Sequence, residues 1–414
     1  MLLVGSSVLS YGDALHTVGE HALALTPSVL EYVPLLDSLR RILAEPIHAD
    51  RDQPPFARST RDGFALHSAD LLSNAQLTII GRLRAGEAWN GLPLATGQAI
   101  EIMTGAPVPA GADCVLMVEH ATVEAAAGTL SVTSSRSLLP GENIVPAGAE
   151  ARAGDTLVHP GVRVGPQHIA LAAACGYATV TVHAQPRVGV LATGDELVPI
   201  NHQPLPFQIR NSNSYSLAAQ ISRCGGIPII HPPAHDSLEA SQSGICAALD
   251  CDLLILSGGV SMGKYDFVEQ ALAKLGAEFF FTGARIQPGR PIVFGQLPTP
   301  SGKKLPFFGL PGNPVSTLVT FTLFAAPILG ALAGQTNPGP HFAQARLSQL
   351  VEARSGLTRF LPAYLESNVT GATIRPIPWH GSGDQSAAAK TNCFLVVPED
   401  IAYAAGDVAT LLQL

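Results

Sequence analysis

The 414-residue sequence predicts an α/β multidomain protein: a three-layer, parallel-sheet domain beside a β-barrel-like domain, a mixed α/β linker domain and a C-terminal β-rich domain. Three observations predict it. Between Arg187 and Val315, three apolar β-type runs each stop abruptly at a glycine-rich turn. Segments of helix length alternate with strands there, which implies right-handed crossovers and a parallel sheet. On either side, short strands and frequent glycines take over, the pattern of barrels and sandwiches.

Taken in order, residues 1–49 carry helical spacing (Ala14, Leu15, Val18, His21, Ala22) and a second apolar block, Leu35 to Leu43. With residues 148–184, where a helix is expected from Pro166 to Cys175, they form the mixed linker domain. Residues 50–147 read as a β domain, with strands at Leu77–Gly81, Ala99–Met103 and Cys114–Val118. The α/β domain spans 185–334. Its helix after Asn213 ends at Gly225-Gly226, Ile227–Ile230 is a strand, and Ser237 opens the next helix. Pro338-Gly339-Pro340 then leads into the C-terminal β-barrel-like domain, 335–414.

Composition narrows the class. Hydrophobic residues make up 47% and charged residues 14%, so the chain can bury a large core and split into about two to four domains. The net charge of −8, with scattered basic residues, leaves no basic stripe and so no nucleic-acid partner. Six cysteines without a C-x-x-C pair fit reduced thiols in a cytoplasmic protein. The first residues lack a basic n-region and soon meet Asp13, which argues against a signal peptide. Val315 to Gly334 is uncharged and long enough to span a bilayer. Asn313-Pro314 is an N-cap and first-turn pair, threonines and Pro327 interrupt the run, and its flanks lack basic asymmetry. A buried helix and no membrane association are expected.

The three turns are Thr193-Gly194-Asp195-Glu196, Ser257-Gly258-Gly259-Val260-Ser261 and Gly309-Leu310-Pro311-Gly312-Asn313-Pro314. In an open parallel sheet, ligands bind beyond the carboxyl ends of the strands, where glycine lets backbone amides approach an anion. An acidic protein with such loops repels its own ligand unless carboxylates hold Mg²⁺ between protein and phosphate. Candidate carboxylates at strand ends and turns are Asp62, Asp195, Glu196, Asp236 and Asp266. Asp195 reads equally as a first-turn helix residue, and Asp266 also as an N-cap. Lys264 adjoins a phosphate-type loop. Arg285 and Arg290, flanking Gln287-Pro288-Gly289, offer the guanidinium fork that suits oxyanions.

These turns, with Thr60-Arg61-Asp62-Gly63-Phe64-Ala65, Ile102-Met103-Thr104-Gly105-Ala106-Pro107-Val108-Pro109, Gly141-Glu142-Asn143-Ile144 and Gln287-Pro288-Gly289-Arg290-Pro291, resemble the molybdopterin molybdotransferases of the MoeA and gephyrin E-domain type, in family order from about Ser10 onward. The resemblance implies that residues 185–334 are the molybdopterin-binding domain. It implies a transferase that takes adenylylated molybdopterin and molybdate with Mg²⁺, inserts molybdenum into the dithiolene and releases AMP. It implies an elongated homodimer with the β domain of one subunit facing the α/β and tail domains of the other, supplied by a molybdopterin adenylyltransferase and serving molybdoenzymes. Matching positions make Asp62, Thr104, Glu196, Asp236 and Asp266 catalytic, with Asp62, Glu196 and Asp266 as metal ligands. Substrate contacts fall on Thr193, Gly194, Ser257, Gly258, Gly259, Ser261, Arg285, Gln287, Arg290, Pro311, Gly312, Asn313, Pro314 and Ser382. Where the family often has an arginine-rich run, Lys-Pro-Gly-Lys-Pro and a tail arginine, this chain has Val145-Pro146-Ala147, Gln287 with Arg290, and Pro362 near Arg359. The lysine expected upstream is Gly283, with Arg285 close by, and the acidic residue after the arginine-rich run is Glu150. A scaffold or carrier paralogue, or one handling tungstate, is the competing expectation; an adenylylating relative would need neither the β domain nor the tail.

Overall fold

Six strands form the central sheet of the computed structural model, which describes residues 7–27, 29–73, 76–133, 137–259, 267–300 and 302–414. They are β1 (Arg187–Ala192), β2 (Ile227–Ile230), β3 (Leu253–Ser257), β4 (Glu278–Phe281), β5 (Val293–Pro298) and β6 (Lys304–Leu310), in spatial order β2-β1-β3-β6-β5-β4. The four strands β2, β1, β3 and β6 are parallel, as the alternation with helices predicts. The β5–β6 hairpin and β4 add an antiparallel edge, a common extension of such sheets.

Both faces of the sheet are apolar, and successive residues alternate between them. Val188, Val190, Leu253, Ile255, Phe308 and Leu310 join the core under α1 (Ser212–Arg223) and the long helical segment after Asn313. Leu191, Leu254, Leu256, Leu305 and Phe307 join the core under α2 (Leu238–Ala247) and α3 (Phe267–Lys274). This is the expected three-layer arrangement. α1 and α2 begin at side-chain caps: Asn211 accepts from the Ser214 N–H, and Ser237 from the Ala240 N–H.

The apolar segment Pro314–Leu332 is a core helix, with 89% of its most apolar window buried. It is α-helical at Pro314–Thr320, widens to a π turn over Phe321–Ala325 and resumes at Ala326–Leu332. Pro327 has no N–H to donate, and the wider turn just before it accommodates the break in the ladder. Thr320 and Thr322 donate their hydroxyls to the Ser316 and Leu318 carbonyls, each at 2.8 Å, so the threonines need no water.

The chain divides into two compact units, one holding Met1–Ala44, Pro160–Gly165 and Thr179–Leu414, the other Glu45–His159 and Pro166–Ala178. In the first unit, the N-terminal helix Tyr11–Ala24 buries Ala14, Val18 and Ala22 and packs on Ala326–Leu332. The C-terminal region of that unit is a closed five-stranded barrel of Phe342–Leu347, Thr358–Asn368, Gly371–Pro376, Cys393–Val397 and Val408–Gln413. Closure comes from Thr358–Asn368, which pairs with Gly371–Pro376 on one side and Cys393–Val397 on the other. The second unit carries a six-stranded sheet ordered Cys114–Met117, Gly63–Leu66, Gln98–Ile102, Leu77–Leu83, Thr129–Val132, Ala121–Glu124.

Candidate active site

The strand order explains why the glycine turns meet. After β1 the chain moves outward to β2 and returns across β1 to β3, with α1 and α2 on opposite faces. Crevices open at such a reversal, beyond the carboxyl ends of the strands. The turns after β1, β3 and β6 are stitched together by backbone bonds: Thr193 N–H to Ser257 C=O at 3.0 Å and Gly258 N–H to Leu310 C=O at 3.1 Å. The approach is close enough to demand glycine. Gly258 has φ +91°, and a Cβ there would lie 2.7 Å from the Thr193 carbonyl oxygen.

These turns open on a cavity of about 1030 Å³. The first contributes Thr193, Gly194 and Glu196, the second Ser257, Gly258 and Gly259, the third Pro311, Gly312, Asn313 and Pro314, and the loop after β2 contributes Asp236. All were expected from the sequence. Thr193 is 5% exposed, and its Oγ1 has no hydrogen-bond partner among the described residues. A buried hydroxyl left so costs about 1–3 kcal/mol.

Asp195 does not line the cavity but fastens its edge. Its Oδ1 accepts from His235 Nδ1 at 2.8 Å and from the Asp236 N–H at 3.2 Å, while Asp236 Oδ2 accepts from the Asp195 N–H at 3.4 Å. The His235 hydrogen bond, then the Asp236 N–H, holds the Asp195 carboxyl below its ordinary value. Neither alternative expected for Asp195, a cavity ligand or a first-turn helix residue, is what the structure shows: a strand, Leu197–Val198, follows it, and its carboxylate fastens the loop.

In the second unit, Asp62 and Thr104 meet across 42 residues of sequence: Asp62 Oδ1 accepts from the Thr104 N–H at 2.7 Å and from its Oγ1 at 2.9 Å. Those two bonds lower the Asp62 carboxyl below its ordinary value. Gly63 is obligatory beside it, since a Cβ would fall 1.9 Å from the Leu116 carbonyl oxygen.

Other expected residues stand apart. Arg285 and Arg290 are exposed, and neither they nor Gln287 line the cavity. Gln287 Oε1 instead accepts from Arg354 Nη1 at 2.9 Å. Ser382 offers its carbonyl to the Val315 N–H at 2.9 Å, and its neighbour Gly383 reaches the cavity. Ser261, Lys264 and Asp266 lie outside the described residues.

Sequence reasoning missed Gln208, Arg210, Asn213 and Gln385, which also line the cavity. Arg210 is placed by a two-residue parallel pairing of Leu197–Val198 with Ile209–Arg210, too short for any periodicity to announce. Asn213 Nδ2 donates to Ser257 Oγ at 3.1 Å and to the Gly312 carbonyl at 2.7 Å. The polar run Asn211-Ser212-Asn213-Ser214 opening α1 was the available signal.

The oxygen donors fit Mg²⁺ in kind. Glu196 and Asp236 present carboxylates to the cavity, while among the described residues no three His, Cys, Asp or Glu side chains gather as a metal cluster. One or two carboxylates completed by substrate phosphates is the usual Mg²⁺ arrangement.

Comparison with known proteins gives this geometry a lineage. The MoeA N-terminal region (domains I and II) matches residues 9–176, a probable molybdopterin-binding domain 189–331, and the MoeA C-terminal region (domain IV) 344–414. A Haemophilus influenzae molybdopterin molybdenumtransferase is 34% identical over 93% of this chain and 94% of its own. One from Bacillus subtilis is 34% identical over 89% of this chain and 86% of its own. The chain belongs to the MoeA family. A crystal structure titled as the MoeA protein of Pyrococcus horikoshii OT3 superposes with a TM-score of 0.80 at 27% identity, covering 98% of this chain and 100% of that one. Within the MoeA frame, most of the cavity lining lies in the segment matched by the molybdopterin-binding model, and Gly383 and Gln385 come from the matched C-terminal region.

Proposed function

We propose that this protein is a Mg²⁺-dependent molybdopterin molybdotransferase, which inserts molybdate-derived molybdenum into adenylylated molybdopterin and releases AMP. The observation that carries the reading is the convergence of three amide-bearing turns, a buried unpartnered threonine hydroxyl and two carboxylates on one cavity. Neutral amides and an acidic pair suit a phosphate-rich ligand that arrives with a divalent cation.

On this reading, turn amides with no bond among the described residues, such as those of Gly259 and Gly312, bind and orient the phosphoanhydride of the substrate. Arg210 is the cation among the described residues lining the cavity, and its planar fork suits an oxyanion. Mg²⁺, held by Glu196 and Asp236 with substrate oxygens, would neutralise charge at the phosphoanhydride as AMP leaves. Asp62, kept ionised by Thr104, would supply a further carboxylate to the site of a partner subunit. A catalytically idle scaffold would have no use for these acids, and their retention supports an enzyme. A homodimer fits the exposed apolar side chains between Leu23 and Leu39, among them Val29, Leu30, Tyr32 and Leu36. A molybdopterin adenylyltransferase would supply the substrate and molybdoenzymes would take the product, in the cytoplasm.

The test is direct. Protein incubated with adenylylated molybdopterin, molybdate and Mg²⁺ should release AMP and yield a cofactor that activates a molybdenum-free apoenzyme. Pterin binding without AMP release would support the scaffold reading instead, and a parallel reaction with tungstate measures oxyanion preference.

A further inference from the structure

The start of α1 gathers the walls of the cavity. Asn213 reaches the second turn through Ser257 Oγ at 3.1 Å and the third through the Gly312 carbonyl at 2.7 Å. A carbonyl can only accept, so the Asn213 amide must present its NH₂ to Gly312. The preceding residue makes a third attachment: Gln385 Nε2, from the segment that also brings Gly383 to the cavity, donates to Ser212 Oγ at 2.6 Å. Asn211 fixes this helix start by accepting from the Ser214 N–H at 3.3 Å and donating its own N–H to the Val198 carbonyl at 2.9 Å.

We infer that Asn213 is the positioning residue of the cavity: its NH₂ sets the spacing between the Ser257–Gly259 and Pro311–Pro314 turns, so that their amides can hold one phosphate-bearing ligand together. This rests on the functional reading above and assigns a role that neither turn can fill alone. Among the described residues, the backbone bond between the two turns runs from the Gly258 N–H to the Leu310 carbonyl. Gly312 does not press hard on its neighbour, since a Cβ there would stand 3.6 Å from Gly258 Cα. Spacing is therefore left to the amide that bridges them. Two hydrogen bonds from a single side chain can do this without contributing much to global stability, because the strand ends beneath, Leu254–Ser257 and Phe307–Leu310, are buried and independently paired.

The experiment uses the full chain with Asn213→Leu, which keeps the branched shape and donates nothing, and Asn213→Ser, which can restore one donor. AMP binding is measured by calorimetry, AMP release by steady-state kinetics, and Tm by calorimetric scan. Loosened turns hold the ligand less well in ground and transition states alike, so KM for adenylylated molybdopterin and Kd for AMP should rise about tenfold in Asn213→Leu while kcat falls at most a few-fold. Asn213→Ser should recover part of the loss. Ser257→Ala should weaken AMP binding less in the Asn213→Leu background than in the natural chain, since the two groups act as a unit. Unchanged AMP affinity in Asn213→Leu, or additive losses with Ser257→Ala, overturns the inference. Should the leucine variant not fold, Asn213→Ser alone decides it, by a KM rise or its absence. If the natural chain binds AMP yet never inserts molybdenum, the functional reading falls while the spacing role is still measured by AMP affinity.

Discussion

Asp195 and Asp236 cap one another: each carboxylate accepts from the other's backbone N–H, at 3.2 and 3.4 Å. The turn after β1 and the loop after β2 are thereby fastened together, and only Asp236 keeps its side chain on the cavity. The bond from His235, then the Asp236 N–H, holds the Asp195 carboxyl below the ordinary carboxylate range. A depressed carboxylate contributes fully above its unfolded value and loses that contribution as pH falls through the folded one. The fastening should therefore hold at neutral pH and loosen only below about 4, read by NMR titration of Asp195 and by exchange of the Asp236 amide. Asp195→Ala should reduce AMP release about tenfold by misplacing Asp236. Undiminished turnover in Asp195→Ala would remove the pair from the site.

Metal removal gives a second outcome. The donors on the cavity are carboxylate and hydroxyl oxygens, which favour Mg²⁺ over zinc. Excess EDTA should abolish AMP release, and Mg²⁺ should restore it where Zn²⁺ does not. Full turnover in EDTA would reject the metal.

Charge on the cavity wall gives a third. Arg210→Gln should raise KM for adenylylated molybdopterin about ten- to a hundredfold, the scale of one charge-assisted hydrogen bond. Arg285→Gln and Arg290→Gln test the positions favoured by sequence, which lie outside the lining of the cavity. An effect in those two alone would move oxyanion capture away from Arg210. Tm should stay nearly constant in all three, since Arg210, Arg285 and Arg290 are exposed.

Subunit mixing addresses the homodimer proposal. If Asp62 serves the cavity of a partner subunit, Asp62→Ala and Glu196→Ala homodimers should each be nearly inactive. Refolded together, about half the dimers are mixed and each carries one intact site, so roughly a quarter of the natural activity should return. No recovery despite proven exchange of subunits would mean that each site is complete within one chain.

How much of this was legible in the sequence follows from distance along the chain. Thr193, Gly194, Ser257, Gly258, Gly259 and Gly312 announced themselves because they sit in three turns that each close a strand, so a local pattern of apolar run and glycine points to the same place. α1 and α2 were readable from their caps and following glycines. Arg210 and Asn213 were not, because their place at the cavity depends on a two-residue strand pairing and on turns 44 and 99 residues away. The antiparallel edge was equally hidden: β5 runs against β4 and β6, which flank it, and composition does not encode direction.

The arrangement of the first unit also imposes an order on synthesis. The N-terminal helix Tyr11–Ala24 finds its partner in Ala326–Leu332, and Val8–Leu9 pairs with Gly283–Ala284. At about 5–20 residues per second, some 300 residues represent roughly 15–60 s during which that helix has left the ribosome with its apolar stripe uncovered. Most of the unit spanning Glu45–His159 emerges and can close its sheet in that interval. For that first minute the nascent chain carries a finished insert on an unfinished host, and a chaperone that shields Ala14, Val18 and Ala22 would act in this window.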